Sequence, residues 1–232
     1  MAKSDLLERP NKEQIGLLLP FVGLALDQIV VLRSDAQFED AFRAIEGEKF
    51  VGFDTESKPT FAKGAAATGP HVIQFALQNR AFVVQLSEQP PLPFLKAVIE
   101  SQAIVKVGFG LTSDREPLFR RLGIRLGAAV ELTETLRALR YKHALGARAA
   151  VAIVLGRRLQ KSKSVTTSNW SSSVLKPNQL LYAANDAYAA LCVFRALGSP
   201  YASAESSAPN PSIELTSAGK LRSPAATAHV KR

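Results

Sequence analysis

The chain has one cysteine and three histidines among its 232 residues. Cys192 alone closes no intrachain disulfide, and neither a cysteine-rich zinc cluster nor a dithiol redox pair can be built from it. It lies in the apolar stretch Ala189-Ala190-Leu191-Cys192-Val193-Phe194, where packing in the core is the ordinary use of a cysteine. His71, His143 and His229 sit far apart and share no ligand spacing. Long apolar runs are missing as well. The stretch from Ile15 to Leu26 is too short to span a bilayer and ends at Asp27, and the polar start lacks the apolar segment of a secretory signal. A soluble, cytoplasmic protein with no membrane partner is the expectation. Acidic residues are the scarcer charge, 20 against 29 Lys and Arg, for a formal net charge of +9. That balance favours an anionic partner such as nucleic acid, although basic residues also serve solubility.

With 47% hydrophobic and 21% charged residues, the chain suits one globular domain with a sizeable core. Residues 1–29 read as an N-terminal extension whose apolar stretch packs on that domain, and residues 30–198 carry the periodic elements. Residues 199–232 are rich in Ser, Ala and Pro without apolar periodicity and read as a disordered tail. Val30-Val31-Leu32 suits an edge strand, and Ser34 with Gln37 is a capping box opening a helix to about Glu46. Strands are expected at 50–54, 71–77 and 81–86, split by a Gly/Ala/Thr-rich loop from Lys63 to Pro70 and by a turn at Asn79-Arg80. Such adjacent strands suggest an antiparallel meander. A helix at about 92–100 precedes a buried strand at 103–107. Ser113 with Glu116 forms a second capping box, placing Asp114 in the first turn of a helix ending near Gly123. Helical patterns follow at about 131–140 and 145–155, then a basic polar loop to Trp170. A long helix runs from Pro177, a favoured first-turn residue, to about Leu197. The alternation of elements points to an α/β sandwich with a mixed sheet.

Against this background a few acidic residues stand out. Asp54 and Glu56 follow the apolar run Phe50-Val51-Gly52-Phe53, and residues two apart on a strand share a face. Tyr182 and Asp186 are four apart in the late helix and share a face there. Asp114 begins a helix just after another strand. Each has an ordinary structural use on its own, at a strand end, in a first turn or as a half-buried aromatic. Acids converging at the end of a buried strand repel one another, and such a cluster makes sense when a divalent cation neutralises it. Carboxylates without His or Cys select Mg²⁺ or Mn²⁺ over zinc. Arg157, Arg158, Lys161 and Lys163 are candidate phosphate contacts, with a solvated basic face as the plain alternative. Trp170 is a candidate for stacking on a base, against a buried packing role. Gln74 alternates within its strand without an assigned role.

These residues resemble the 3′-to-5′ exonucleases of RNase H-like fold, in the branch with four acidic residues and a tyrosine that includes RNase D and Werner-type domains. The resemblance covers roughly residues 30–198. It rests on Val51-Gly52-Phe53-Asp54-Thr55-Glu56, on Pro59-Thr60-Phe61 with Val72-Ile73-Gln74-Phe75-Ala76, and on Lys106-Val107-Gly108 leading to Asp114. The late motif is Tyr182-Ala183-Ala184-Asn185-Asp186-Ala187-Tyr188, preceded by Lys161-Ser162-Lys163 and Ser168-Asn169-Trp170. It implies an RNase H-like mixed sheet flanked by helices, and two-metal hydrolysis of RNA or DNA from 3′ ends. It further implies that Asp54 bridges two ions, Glu56 and Asp186 complete the first site, and Asp114 supports the second through water. Tyr182 would orient the attacking water. Asn169 stands where RNase D-like members often carry aspartate, and no helical domain follows residue 198, so substrate selection is expected from this domain or a partner. Two other classes are open to the same residues. A non-catalytic nucleic-acid adaptor of this fold is disfavoured by the full acidic set, and a phosphatase with Asp54 as nucleophile by Glu56 where a second aspartate belongs.

Overall fold

The computed structural model describes residues 7–59, 68–86 and 88–198. Its strands are β1 (Ile29–Val31), β2 (Phe50–Glu56), β3 (Val72–Ala76), β4 (Ala81–Gln85), β5 (Val105–Gly108) and β6 (Ala129–Glu131). Its helices are α1 (Lys12–Gly16), α2 (Asp35–Glu46), α3 (Leu92–Ile99), α4 (Leu111–Leu122), α5 (Leu132–Thr135), α6 (Ala147–Leu155), α7 (Lys163–Thr166) and α8 (Pro177–Ala196). The strands form one mixed sheet in the order β1-β4-β3-β2-β5-β6. β2, β3 and β4 make the expected antiparallel meander. β1 joins the edge parallel to β4, while β5 and β6 extend the other side in parallel. The α/β class read from the sequence holds. The expected tail lies outside the described residues, as does most of the loop after Pro59.

Alternation along β2 divides the molecule. Val51 and Phe53 point to one face and are fully buried. There Phe53 meets Phe75 with ring centroids 5.6 Å apart, and Phe75 meets Phe94 edge-on at 6.0 Å. Such pairs add about 0.5–1.5 kcal/mol each to the burial of their area. Residues of α2, α3 and α4 complete this core. α2 is capped as expected, with Ser34 Oγ accepting from the Gln37 N–H and Gln37 Oε1 accepting from the Ser34 N–H. The opposite face belongs to α8, which crosses β2, β3 and β5. Its Ala183, Ala184 and Ala187 let it lie close to the sheet. A Cβ on Gly52 would stand 2.1 Å from the Ala187 carbonyl oxygen, so only glycine fits that crossing.

Several local expectations give way to longer-range contacts. Ser113 does not cap α4; the helix begins at Leu111 after Gly110, whose φ of 78° is left-handed. The Glu131 carboxylate, at the end of β6, accepts from the Gly110 and Thr112 N–H groups instead. Asp114 nevertheless lies in the first turn. The expected helix over 131–140 is three pieces: the end of β6, α5, and a 3₁₀ turn over Leu136–Leu139. Cys192 is half-buried beside Tyr188 rather than in the core. Of the apolar stretch before β1, Leu24 is buried while Leu17 and Val22 stay exposed. No helix among the described residues is long and apolar enough to cross a membrane.

Lys106 of β5 is fully buried, and its Nζ donates to the carbonyls of Val98 (3.2 Å), Ser101 (2.7 Å) and Ile104 (2.6 Å). Burial pulls its ammonium down to about 8, which leaves it charged at neutral pH. The lysine therefore closes the end of α3 and the turn into β5. Lys106→Met keeps the apolar stem and strands three carbonyls. It should cost about 2–4 kcal/mol, read as a lower urea midpoint at unchanged slope.

Candidate active site

Two elements bring the carboxylates together. Asp54 and Glu56 project from the α8 face at the end of β2, as strand periodicity requires. α8 starts at Pro177 and sets Tyr182 and Asp186 one turn apart. Because Gly52 admits the helix against β2, Asp186 arrives beside the two strand acids. One carboxylate oxygen from each of Asp54, Glu56 and Asp186 lies within 4.8 Å of the others. Asp114 comes from α4, on the other face of the sheet, and is not part of that trio. It accepts from Thr55 Oγ1 at 2.9 Å, and the Thr55 N–H donates to Asp54 Oδ1 at 2.9 Å. Thr55 thus ties the fourth acid to the first.

Burial dominates the electrostatics of the site. It raises the Asp54 carboxyl well above the usual carboxylate range, and Asp186 and Asp114 push it further. Glu56 is driven up to about 9 by burial, then by Asp54 and Asp186. Asp114 rises to about 6, again through burial, with the Thr55 hydrogen bond opposing. Asp186 is raised by burial and partly relieved by Lys161, whose Nζ lies 2.6 Å from Asp186 Oδ2. Burial alone would lower the Lys161 ammonium, but Asp186, Tyr182 and Asp54 together hold it above its ordinary value. Tyr182 is raised to about 12 by burial and by Asp186, so its hydroxyl keeps its proton at neutral pH. That hydroxyl accepts from Thr166 Oγ1 at 3.0 Å.

The donor set fits a hard divalent cation. It is all carboxylate oxygen, without a soft ligand, and one lysine faces three mutually repelling acids. Gln74, the register partner of Asp54 on β3, is fully buried with neither amide atom hydrogen-bonded. Asp54, Glu56 and Asp186 would hold such an ion.

The basic loop divides on inspection. Lys161 points inward to Asp186 and lies 5.5 Å from the centre of the Tyr182 ring, and Arg148 of α6 donates to its carbonyl. Arg157 and Lys163 are exposed. Arg158 is half-buried, its backbone bridged to the Leu19–Phe21 segment. Of its two expected uses, stacking on a base or buried packing, Trp170 takes the packing one. It is 1% exposed, its Nε1–H donates to the Thr166 carbonyl, and its ring packs 5.9 Å from that of Tyr182. It buttresses the tyrosine.

Thr55, Thr166, Arg148 and Asn185 were not singled out from the sequence. Asn185, beside Asp186 in the late motif, accepts from the Leu24 N–H at 2.6 Å and donates to the Leu24 carbonyl at 3.1 Å. A Cβ on Gly23 would stand 2.2 Å from Asn185 Oδ1. The segment before β1 is thereby fastened next to the site. Such side chains carry no periodic signal, and only Thr55 and Asn185 lie next to the acidic residues in sequence.

A family profile described as 3′-5′ exonuclease matches residues 29–200. The mouse (Mus musculus) bifunctional 3′-5′ exonuclease/ATP-dependent helicase WRN is 32% identical over 169 residues, 71% of this chain and 12% of its own length. An Arabidopsis thaliana 3′-5′ exonuclease is 28% identical over 160 residues, 68% of this chain and 56% of its own. The chain therefore spans only part of these relatives. Among solved structures, the Aedes aegypti Nibbler EXO domain superposes with a TM-score of 0.64 at 23% identity, covering 75% of this chain and 88% of that one. Trypanosoma brucei RNase D, in complex with RNA U12, gives 0.65 at 19% identity, covering 75% and 63%. The fold is the RNase H-like sheet expected from the sequence.

The raised carboxyls make a pH prediction. Glu56 titrates near 4.5 when unfolded and about 9 when folded, so the unfolded chain releases this proton first and stability falls as pH rises through that window. A bound cation removes the penalty by stabilising the ionised form. Mn²⁺ should therefore raise the thermal midpoint of metal-free protein more at pH 8 than at pH 5, as followed by scanning fluorimetry. A midpoint indifferent to Mn²⁺ at pH 8 contradicts this.

Proposed function

The chain belongs to the 3′-5′ exonuclease family, and from that premise we propose that its acidic cleft removes nucleotides from 3′ ends of RNA or DNA with two Mg²⁺ or Mn²⁺ ions. The observation that carries this reading is the convergence of Asp54, Glu56 and Asp186 within 4.8 Å, with Tyr182 on the same helix face. Bound divalent cations supply charge neutralisation at the scissile phosphate, an activated water and stabilisation of the leaving 3′-oxygen.

The protein's own part is holding and orienting. Asp54 is fixed by the Thr55 N–H and grouped with Glu56 and Asp186. Asp114, braced by Thr55 Oγ1, would be the further acid supporting a second ion. Tyr182 keeps its proton at neutral pH, so it positions the attacking water rather than deprotonating it. Thr166 and Trp170 fix its ring and hydroxyl. Arg157 and Lys163, exposed, and Arg158, half-buried, would meet the backbone phosphates of the incoming strand. Single-stranded 3′ ends of RNA or DNA, or short oligonucleotides, are the substrate class, in keeping with the RNA bound by the trypanosome RNase D.

End-labelled RNA and DNA of several lengths, digested with Mg²⁺ or Mn²⁺, test the proposal. Mononucleotides should be released, a blocked 3′ end should protect, and a blocked 5′ end should not. Full activity in excess EDTA, or rapid cleavage of circular single strands, would overturn it. Tyr182→Phe should lower turnover by about 10²–10⁴ with metal affinity little changed. Asp186→Asn should lower both severely. Near-wild-type turnover of Tyr182→Phe at saturating Mg²⁺ returns the tyrosine to a packing role.

A further inference from the structure

Gln74 is the buried polar side chain that the reading above leaves unused. It lies in the middle of β3, fully buried, with Oε1 and Nε2 both lacking a hydrogen-bond partner. Along β3 its neighbours on the α8 face are Val72 and Ala76, and its register partner on β4 is Val83. Those residues belong to two apolar clusters completed by Ala183, Ala184 and Ala187 of α8. A methionine or leucine would fill this place without a desolvated amide, whose burial unpaired is costly. On its other side, however, Gln74 pairs in register with Asp54. Directly opposed residues of an antiparallel pair share a face, with Cβ atoms about 4.5–5.5 Å apart. Register therefore sets the Gln74 side chain to start next to that of Asp54, one of the three acids of the trio.

We propose that Gln74 is a positioning residue for Asp54. Its Nε2–H₂ group, which has no direct partner among the described residues, reaches the Asp54 carboxylate through one water and fixes the orientation in which that carboxylate takes a divalent cation. Both amide atoms suit the task. The N–H₂ group complements the carboxylate oxygens, and Oε1 accepts from a water in the same shell. Thr55 N–H already holds Asp54 Oδ1 from the strand side, so the amide supplies the second restraint, from across the sheet. Outer groups of this kind tune metal sites through the ligands they orient. The inference rests on the cation-dependent reading of the cleft, but it concerns ion affinity and can be measured without substrate.

Gln74→Met keeps the length and apolar volume and removes only the amide; Gln74→Leu serves as a second variant. Calorimetric titration of metal-free protein with Mn²⁺ should show affinity reduced about 10–100-fold in both. Their metal-free thermal midpoints should equal or exceed that of the wild type, because a buried unpaired amide is gone. That opposition of affinity and stability is what a purely structural role does not produce. Unchanged Mn²⁺ affinity overturns the proposal. So does a fall in metal-free midpoint, or failure of both variants to fold, which would make Gln74 a packing residue. Wild-type protein that binds Mn²⁺ but digests no oligonucleotide would refute the nuclease reading alone. Wild-type protein that binds no Mn²⁺ would refute both.

Discussion

Asp54, Glu56 and Asp186 repel one another, and the fold holds them together through a backbone contact that carries no charge at all. α8 crosses β2 with the Ala187 carbonyl over Gly52, so closely that any side chain at residue 52 would collide with it. The alanines on that face of the helix make the approach possible. The interiors on either side are closely packed, so the acids cannot relax apart by tilting the helix. Packing energy spread over the whole sheet therefore opposes a local electrostatic strain, and the site is acidic because the core is tight.

Relief of that strain is partial and is built in at three levels. Lys161 supplies one positive charge to Asp186. The Thr55 backbone and hydroxyl serve Asp54 and Asp114. Burial moves every acid of the site upward, toward its neutral form, which eases the repulsion further. Glu56, pushed up to about 9, keeps its proton at neutral pH until a cation displaces it, so metal affinity is coupled to pH. The supporting residues form a layered scaffold. Trp170 and Thr166 hold Tyr182, and Arg148 holds the Lys161 backbone. The Gly23–Leu24 segment grips Asn185, adjacent to Asp186.

Much of this was legible in the sequence where periodicity speaks. The two-residue spacing of Asp54 and Glu56 after an apolar run, and the four-residue spacing of Tyr182 and Asp186 after Pro177, fixed both halves of the cluster. The meander was readable from its turns. The failures share a cause: a local pattern was overruled by a residue distant in the chain. Ser113 with Glu116 looked like a cap, but Gly110 turns left-handed and Glu131 caps the helix from the neighbouring strand. β6 has three residues, too few to show alternation. Lys161 read as one basic residue among several, yet it alone of the loop's candidate lysines and arginines pairs with Asp186. Trp170 read as either a platform or a packing residue, and its burial against Tyr182 decides for packing. Gln74 showed only as a polar residue in an alternating strand; its place opposite Asp54 follows from register, which composition does not encode.

On the proposed reading, these acids are kept together for a divalent cation. Crystals grown with Mn²⁺ and measured for anomalous scattering test that claim most directly. The account predicts an anomalous peak bonded to oxygens of Asp54, Glu56 and Asp186. A cleft without such a peak at saturating Mn²⁺, with Lys161 still paired to Asp186 and the three acids in their present positions, would contradict it.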